Sequence, residues 1–200
     1  MFLWLGVSGN TNSTFNGPVG LVRKETSGTL YIADFGNNRV MGYLSNAASG
    51  SLAAGDGTFG TGLTQLWKPA GLYFDTFSDS LVIANHNAKN IVRWKLGARN
   101  WTLLAGNANG ISGNNATLLD YPQHVTFDPM GNMYVVDKQN HRIQLFMVGQ
   151  TAGITIAGVS STVGSSSNLL NTPHAVRLDN QLNLYVADTY NHRIQKFLRY

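Results

Sequence analysis

Two histidines and three acid–base pairs are the residues of this 200-residue chain whose types and spacing could do chemistry. His124 and His174 stand just after Pro122 and Pro173. Imidazoles on neighbouring strands suit a metal ion or proton transfer. A catalytic zinc ordinarily takes three protein ligands and a water, and the corresponding places elsewhere in the chain hold Val19-Gly20 and Ala70-Gly71. The two histidines also differ by one position relative to their prolines, so strict strand alternation would send them to different faces. The plainer reading is two polar residues in contact with water. The pairs are Asp34/Arg39, Asp137/Arg142 and Asp188/Arg193. Each frames one short loop, where charge-assisted hydrogen bonds can tie a hairpin together. Their repetition favours a structural tie over an active site. A second repeat carries Asn85 and Asn90 instead, a joint change that suits a buried pair removed as a unit. His141 and His192 belong to the same repeated loop and read as structural.

Positioning these groups requires a repeated framework, and the prolines display it. Pro18, Pro69, Pro122 and Pro173 are spaced 51, 53 and 51 residues apart. Each opens an apolar run, followed by Leu30-Tyr-Ile-Ala-Asp34, Leu81-Val-Ile-Ala-Asn85, Met133-Tyr-Val-Val-Asp137 or Leu184-Tyr-Val-Ala-Asp188. The loop blocks Asn37–Val40, Ala88–Ile91, Asn140–Ile143 and Asn191–Ile194 come next. A fourth block stands ahead of each proline: Leu3–Gly6, Leu52–Gly55, Leu103–Gly106 and Thr155–Gly158. Short β-type runs bounded by Gly, Asn, Asp and Pro make each unit four strands. Asp128-Pro-Met-Gly-Asn132 is a turn sequence, and Asn37, Asn140 and Asn191 are placed to take left-handed geometry. The second run is apolar on both faces, as in a sheet sandwiched between others. Four-stranded sheets repeated at this period predict an all-β propeller with four blades, or part of a larger one.

Asn140-His-Arg-Ile143 and Asn191-His-Arg-Ile194, each after a Tyr-Val-x-Asp strand, resemble the NHL repeat, in four copies along the whole chain. The expected layout is one propeller domain over residues 1–200. Its repeats run at about 15–65, 66–118, 119–169 and 170–200, with 1–14 as the outer strand of a neighbouring or the last blade. The resemblance implies an inner strand after each repeat proline lining a central channel, and a ring that usually has six blades. It also implies recognition of macromolecular partners, often within larger chains such as ubiquitin ligases. A metal-dependent peptidyl-amidating lyase is the alternative that the resemblance carries. Only His174 matches the Pro-His pattern of those lyases, so His124 and His174 are channel-facing binding candidates first and metal candidates second.

Composition agrees with a β-rich framework. One Glu and six Lys stand against 22 Gly, 21 Asn, 14 Ser and 16 Thr, so helix formers are scarce and turn formers abundant. Cys is absent, which removes disulfides, thiol catalysis and cysteine-based metal sites. No nucleophile elbow or phosphate loop occurs, so no catalytic residue is assigned. The net charge of +4 raises RNA as a partner, with Arg93, Lys95 and Arg99 around Trp94 and Trp101 as the candidate contact. Those aromatics could equally pack between blades while the charges stay solvated. The expected role is a non-enzymatic scaffold that recognises protein, less so RNA, with no resident cofactor; zinc or calcium is the exception the two histidines would allow. No apolar run approaches the ~18 residues of a membrane span. Met1 to Val7 is also too short for a signal-peptide core. The compartment and any self-association are left open.

Overall fold

The computed structural model describes residues 6–199, and they form fifteen β-strands in four antiparallel sheets. The first sheet is β1 (Pro18–Lys24), β2 (Thr29–Asp34), β3 (Arg39–Tyr43) and β4 (Ser51–Ala54). The second is β5 (Pro69–Asp75), β6 (Ser80–Asn85), β7 (Asn90–Lys95) and β8 (Thr102–Gly106). The third is β9 (Pro122–Phe127), β10 (Met133–Asp137), β11 (Arg142–Phe146) and β12 (Ile154–Gly158). The fourth has three strands, β13 (Pro173–Leu178), β14 (Leu184–Asp188) and β15 (Arg193–Phe197). Strands pair strictly in chain order within every sheet, the meander of a propeller blade. This is a four-bladed β-propeller. β1 packs against β5, β5 against β9 and β9 against β13, and among the described residues no comparable packing joins β13 to β1.

Apolar residues on both faces of the second strands have a direct cause here. In β6, Leu81 and Ile83 join the core with the first blade, whereas Val82 and Ala84 join the core with the third. β10 repeats this: Met133 and Val135 face the second blade, Tyr134 and Val136 the fourth. Every one of these side chains is buried, so blades cohere through apolar surface removed from water on both sides.

Each hairpin after the second strand is tied as its residue types suggest. Asp137 accepts bonds from Arg142 Nε at 2.8 Å, Asn140 Nδ2 at 2.8 Å and the Asp120 N–H at 2.7 Å. The Arg142 guanidinium then donates to the carbonyls of Asn114, Asn115 and Leu118, stitching the preceding loop to the hairpin. Asp34/Arg39 and Asp188/Arg193 make the same bonds. Asn37, Asn140 and Asn191 serve as donors to the aspartates. The left-handed residue is instead the next one, Asn38, His141 or His192, with φ of 54°, 53° and 54°. The turn at Asp128–Asn132 forms as expected, with Gly131 at φ +86°. Gly6 to Thr14 run as a loop with one bridge between Ser8 and Phe15, not as a strand. Apart from Gly6, the outer strand expected at Leu3–Gly6 lies outside the described residues.

The second blade replaces the ionic tie with a neutral device. Asn85 keeps the bond to the loop, accepting the Trp67 N–H at 2.7 Å. Trp101 supplies the missing donor. Its indole N–H lies 3.0 Å from the carbonyls of both Gly62 and Gln65, the counterparts of Asn115 and Leu118 in the third blade. The alignment is fixed by backbone bonds, Trp101 N–H to Leu63 and Gly153 N–H to Ala116. Trp101→Phe, which keeps the ring and loses the donor, is expected to cost about 1–2 kcal/mol in a urea titration. An unchanged midpoint would show that the indole acts through packing alone.

Candidate functional site

The inner strands of the four blades converge on an axial cavity of about 590 Å³. Its wall includes His86, Gln123, His124, Lys138 and His174, with Phe35, Val19 and Leu21 as apolar neighbours. His124 and His174 therefore share one cavity, contrary to the expectation from strict alternation. The reason is an irregularity after each repeat proline. The register shifts between Val136 and Asp137 opposite β9, and between Pro173 and Ala175 in β13, so His174 is the unpaired residue while His124 pairs with Val136. A bulge of this kind breaks the two-residue period and re-aims side chains at the strand end.

Two glycines keep the inner strands close around the cavity. A Cβ on Gly20 would lie 2.0 Å from the Ala70 carbonyl oxygen, and one on Gly71 would lie 2.6 Å from His124 Cα. These are backbone contacts that cannot swing away, so the first two blades carry glycine where the third carries a histidine.

Electrostatically the cavity holds neutral imidazoles beside a lysine. Burial pulls His86 down to about 4, and Lys138, Lys68 and His174 push it the same way. Burial, with Arg177, pulls His124 down to about 4 as well. His174 is lowered by burial and then by Lys138, and burial lowers Lys138 itself. His86 Nδ1 is 3.1 Å from the Pro122 carbonyl, so Nδ1 carries the proton and Nε2 is left as an acceptor. Among the described residues, His124 Nδ1 and His174 Nε2 are buried without a hydrogen-bond partner. His86, absent from the sequence-derived candidates, follows the second blade's Asn85 tie as Phe35, Lys138 and Thr189 follow the other three. A comparison of that one position across the repeats would have found it, since it is where the repeats stop agreeing.

A metal does not fit this wall. Among the described residues no three His, Asp or Glu side chains gather closely enough to hold an ion. His86 has also given one ring nitrogen to a carbonyl. His141, the motif histidine, accepts the Thr172 N–H at 3.0 Å and so fastens the third blade to the fourth. His192 is exposed. Trp94 and Trp101 are buried in the core between the first two blades, so neither offers a face for base stacking. Arg93 pairs with Asp75 at 3.1 Å, and Lys95 and Arg99 are solvated.

Comparisons with known proteins agree with this architecture. Residues 170–197 match the NHL repeat. No curated protein matches the chain. Among solved structures, a protein of unknown function from Bacteroides thetaiotaomicron superposes with a TM-score of 0.74 at 16% identity, over 90% of this chain and 47% of its own. An auxiliary nutrient binding protein from the same organism gives 0.68 at 18%, over 88% and 46%. A gluconolactonase from Xanthomonas campestris gives 0.69 at 18%, over 92% and 58%. The chain thus spans about half the length of these structures. At such identities they share its fold. The chain is thus a four-bladed β-propeller whose last blade matches the NHL repeat over residues 170–197, with the same tie in its first and third blades.

Proposed function

We propose that this propeller binds a small, oxygen-rich molecule in its axial cavity and releases it unchanged. The observation that carries the reading is the set of polar side chains, His86, Gln123, His124, Lys138 and His174, gathered on the wall of one cavity. Hydroxyl or carboxylate oxygens of a ligand would pair with the donors and acceptors that these side chains carry. A volume of about 590 Å³ suits such a molecule. Neutral imidazoles can donate or accept, Gln123 does both, and Lys138 favours an anionic end. Among the described residues no Asp or Glu lines the wall, so the residues present bind more readily than they activate water. The likeness to a nutrient binding protein and to a gluconolactonase suggests sugar acids and their lactones as the first panel.

Thermal unfolding tests this with gluconate, gluconolactone and glucose at neutral pH. A ligand at 100 times its Kd stabilises by about 2.7 kcal/mol, a clear rise in Tm. The rise is expected for wild type and should vanish in His124→Phe and His174→Phe. No shift with any of the three sets the cavity reading aside for this class. Lactone hydrolysis above the uncatalysed rate would replace binding by catalysis.

Protein recognition is supported by a separate feature. Phe77, at the turn between β5 and β6, is 100% exposed. A bare aromatic at a loop tip is a common anchor for a partner. Pull-down with wild type and Phe77→Ser, compared for bands that disappear, tests it directly.

A further inference from the structure

The first three blades place the residue that follows their tie on the wall of the axial cavity: Phe35, His86 and Lys138. In the third blade the short turn Lys138–Asn140 fixes that backbone, with the Lys138 carbonyl accepting the His141 N–H at 3.2 Å. Lys138 therefore stands at the cavity beside apolar wall residues, Phe35, Ala70, Leu72 and Ala175.

The other five lysines are placed differently. Lys24 is paired with Asp79, and Lys196 lies 3.9 Å from Asp179. Lys68 and Lys89 set their ammonium groups over the Phe35 and Tyr121 rings, 5.4 and 5.2 Å from the ring centres. Lys95 is exposed. Lys138 is half-buried on the cavity wall, where no Asp or Glu stands among the described residues. Burial draws its ammonium below the ordinary lysine range. An amine that sheds its proton more readily is the better nucleophile toward a carbonyl carbon.

Given the axial cavity as the ligand site proposed above, we infer that Lys138 holds a small polar aldehyde or ketone there as a reversible imine. The free Nζ adds its lone pair to the carbonyl carbon, and the carbonyl oxygen takes up a proton. The nitrogen then gives up a proton, the new hydroxyl leaves as water, and a carbon–nitrogen double bond remains. Nothing is oxidised or reduced. His86 and His174 share the wall, and neutral imidazoles can carry the protons of both steps. Water reverses the sequence and returns the ligand unchanged, so capture of this kind is still binding.

Reductive trapping on the 200-residue chain is the test, with glyoxylate and sodium cyanoborohydride at neutral pH and peptide mapping by mass spectrometry. Reduction fixes each imine as a carboxymethyl group on its lysine. Lys138 is expected to take the label about tenfold faster than the exposed Lys95. In the urea-unfolded chain the two should label alike. Lys138→Arg, which keeps the charge and forms no imine, should lose the fast label and keep the wild-type melt. Were that variant not to fold, the ratio of Lys138 to Lys95 label in wild type still decides. Equal rates in the folded chain, or a preference that survives unfolding, would overturn the inference. Fast label at Lys138 without a Tm rise from gluconate or its lactone would keep the imine and set the sugar-acid panel aside. A Tm rise without that label would keep binding and overturn the imine.

Discussion

Asp137→Ala is expected to lower stability by about 3–5 kcal/mol, because it leaves a buried guanidinium without its counter-charge. Asp137 is fully buried and the Arg142 side chain is 3% exposed. Besides Arg142 Nε, the carboxylate serves the Asn140 amide and the Asp120 N–H, and all three donors would be stranded together. Water cannot replace it without opening the junction between the hairpin and its loop. Against a typical total of about 5–15 kcal/mol, this loss brings the chain close to unfolding. A urea titration followed by circular dichroism measures it. Asp188→Ala supplies the internal control. Its partner Arg193 is 29% exposed, so solvent can take over part of the pairing and the cost should fall to roughly 1–2 kcal/mol. Equal losses at the two sites would show that burial of the arginine is not what makes the tie matter.

Acid should destabilise the propeller well above the pH at which ordinary carboxylates titrate. His86 and His124 sit at about 4 in the fold, against 6.5 for the exposed side chain. Between those values the unfolded chain binds more protons, so stability is fully present above pH 6.5 and is lost as pH falls toward 4. At 1.36 kcal/mol for each unit, each histidine contributes at most roughly 3 kcal/mol across the whole window. Urea midpoints at pH 7, 6 and 5 follow the slope while leaving ordinary carboxylates ionised. His124→Gln should flatten the dependence in part, since burial also lowers His174 and His141. A midpoint unchanged from pH 7 to 5 would mean that both imidazoles meet solvent freely in the fold.

The tie was legible in sequence because it is local. Asp and Arg five residues apart around one loop can meet whatever the rest of the chain does, and three copies made the pairing plain. Its replacement in the second blade was only half legible. Asn85 and Asn90 announced the missing charges, but the substitute donor, Trp101, lies 35 or more residues from the carbonyls it serves. The cavity was legible to a similar degree. The prolines marked the inner strands and so marked His124 and His174. The bulge that brings the two histidines to one wall, and the place of His86 there, were not. Aromatic exposure was the hardest to read, since Trp94 and Trp101 have the same neighbours in sequence whether they face solvent or the next blade.

The repeat spacing, the apolar second strands and the glycine- and asparagine-rich turns determined the all-β blade by themselves, because each is a short-range preference of the backbone copied four times. Which polar residues share the axial cavity and which imidazoles stay neutral were decided only by packing. Those properties depend on what another blade, some fifty residues away, removes from water.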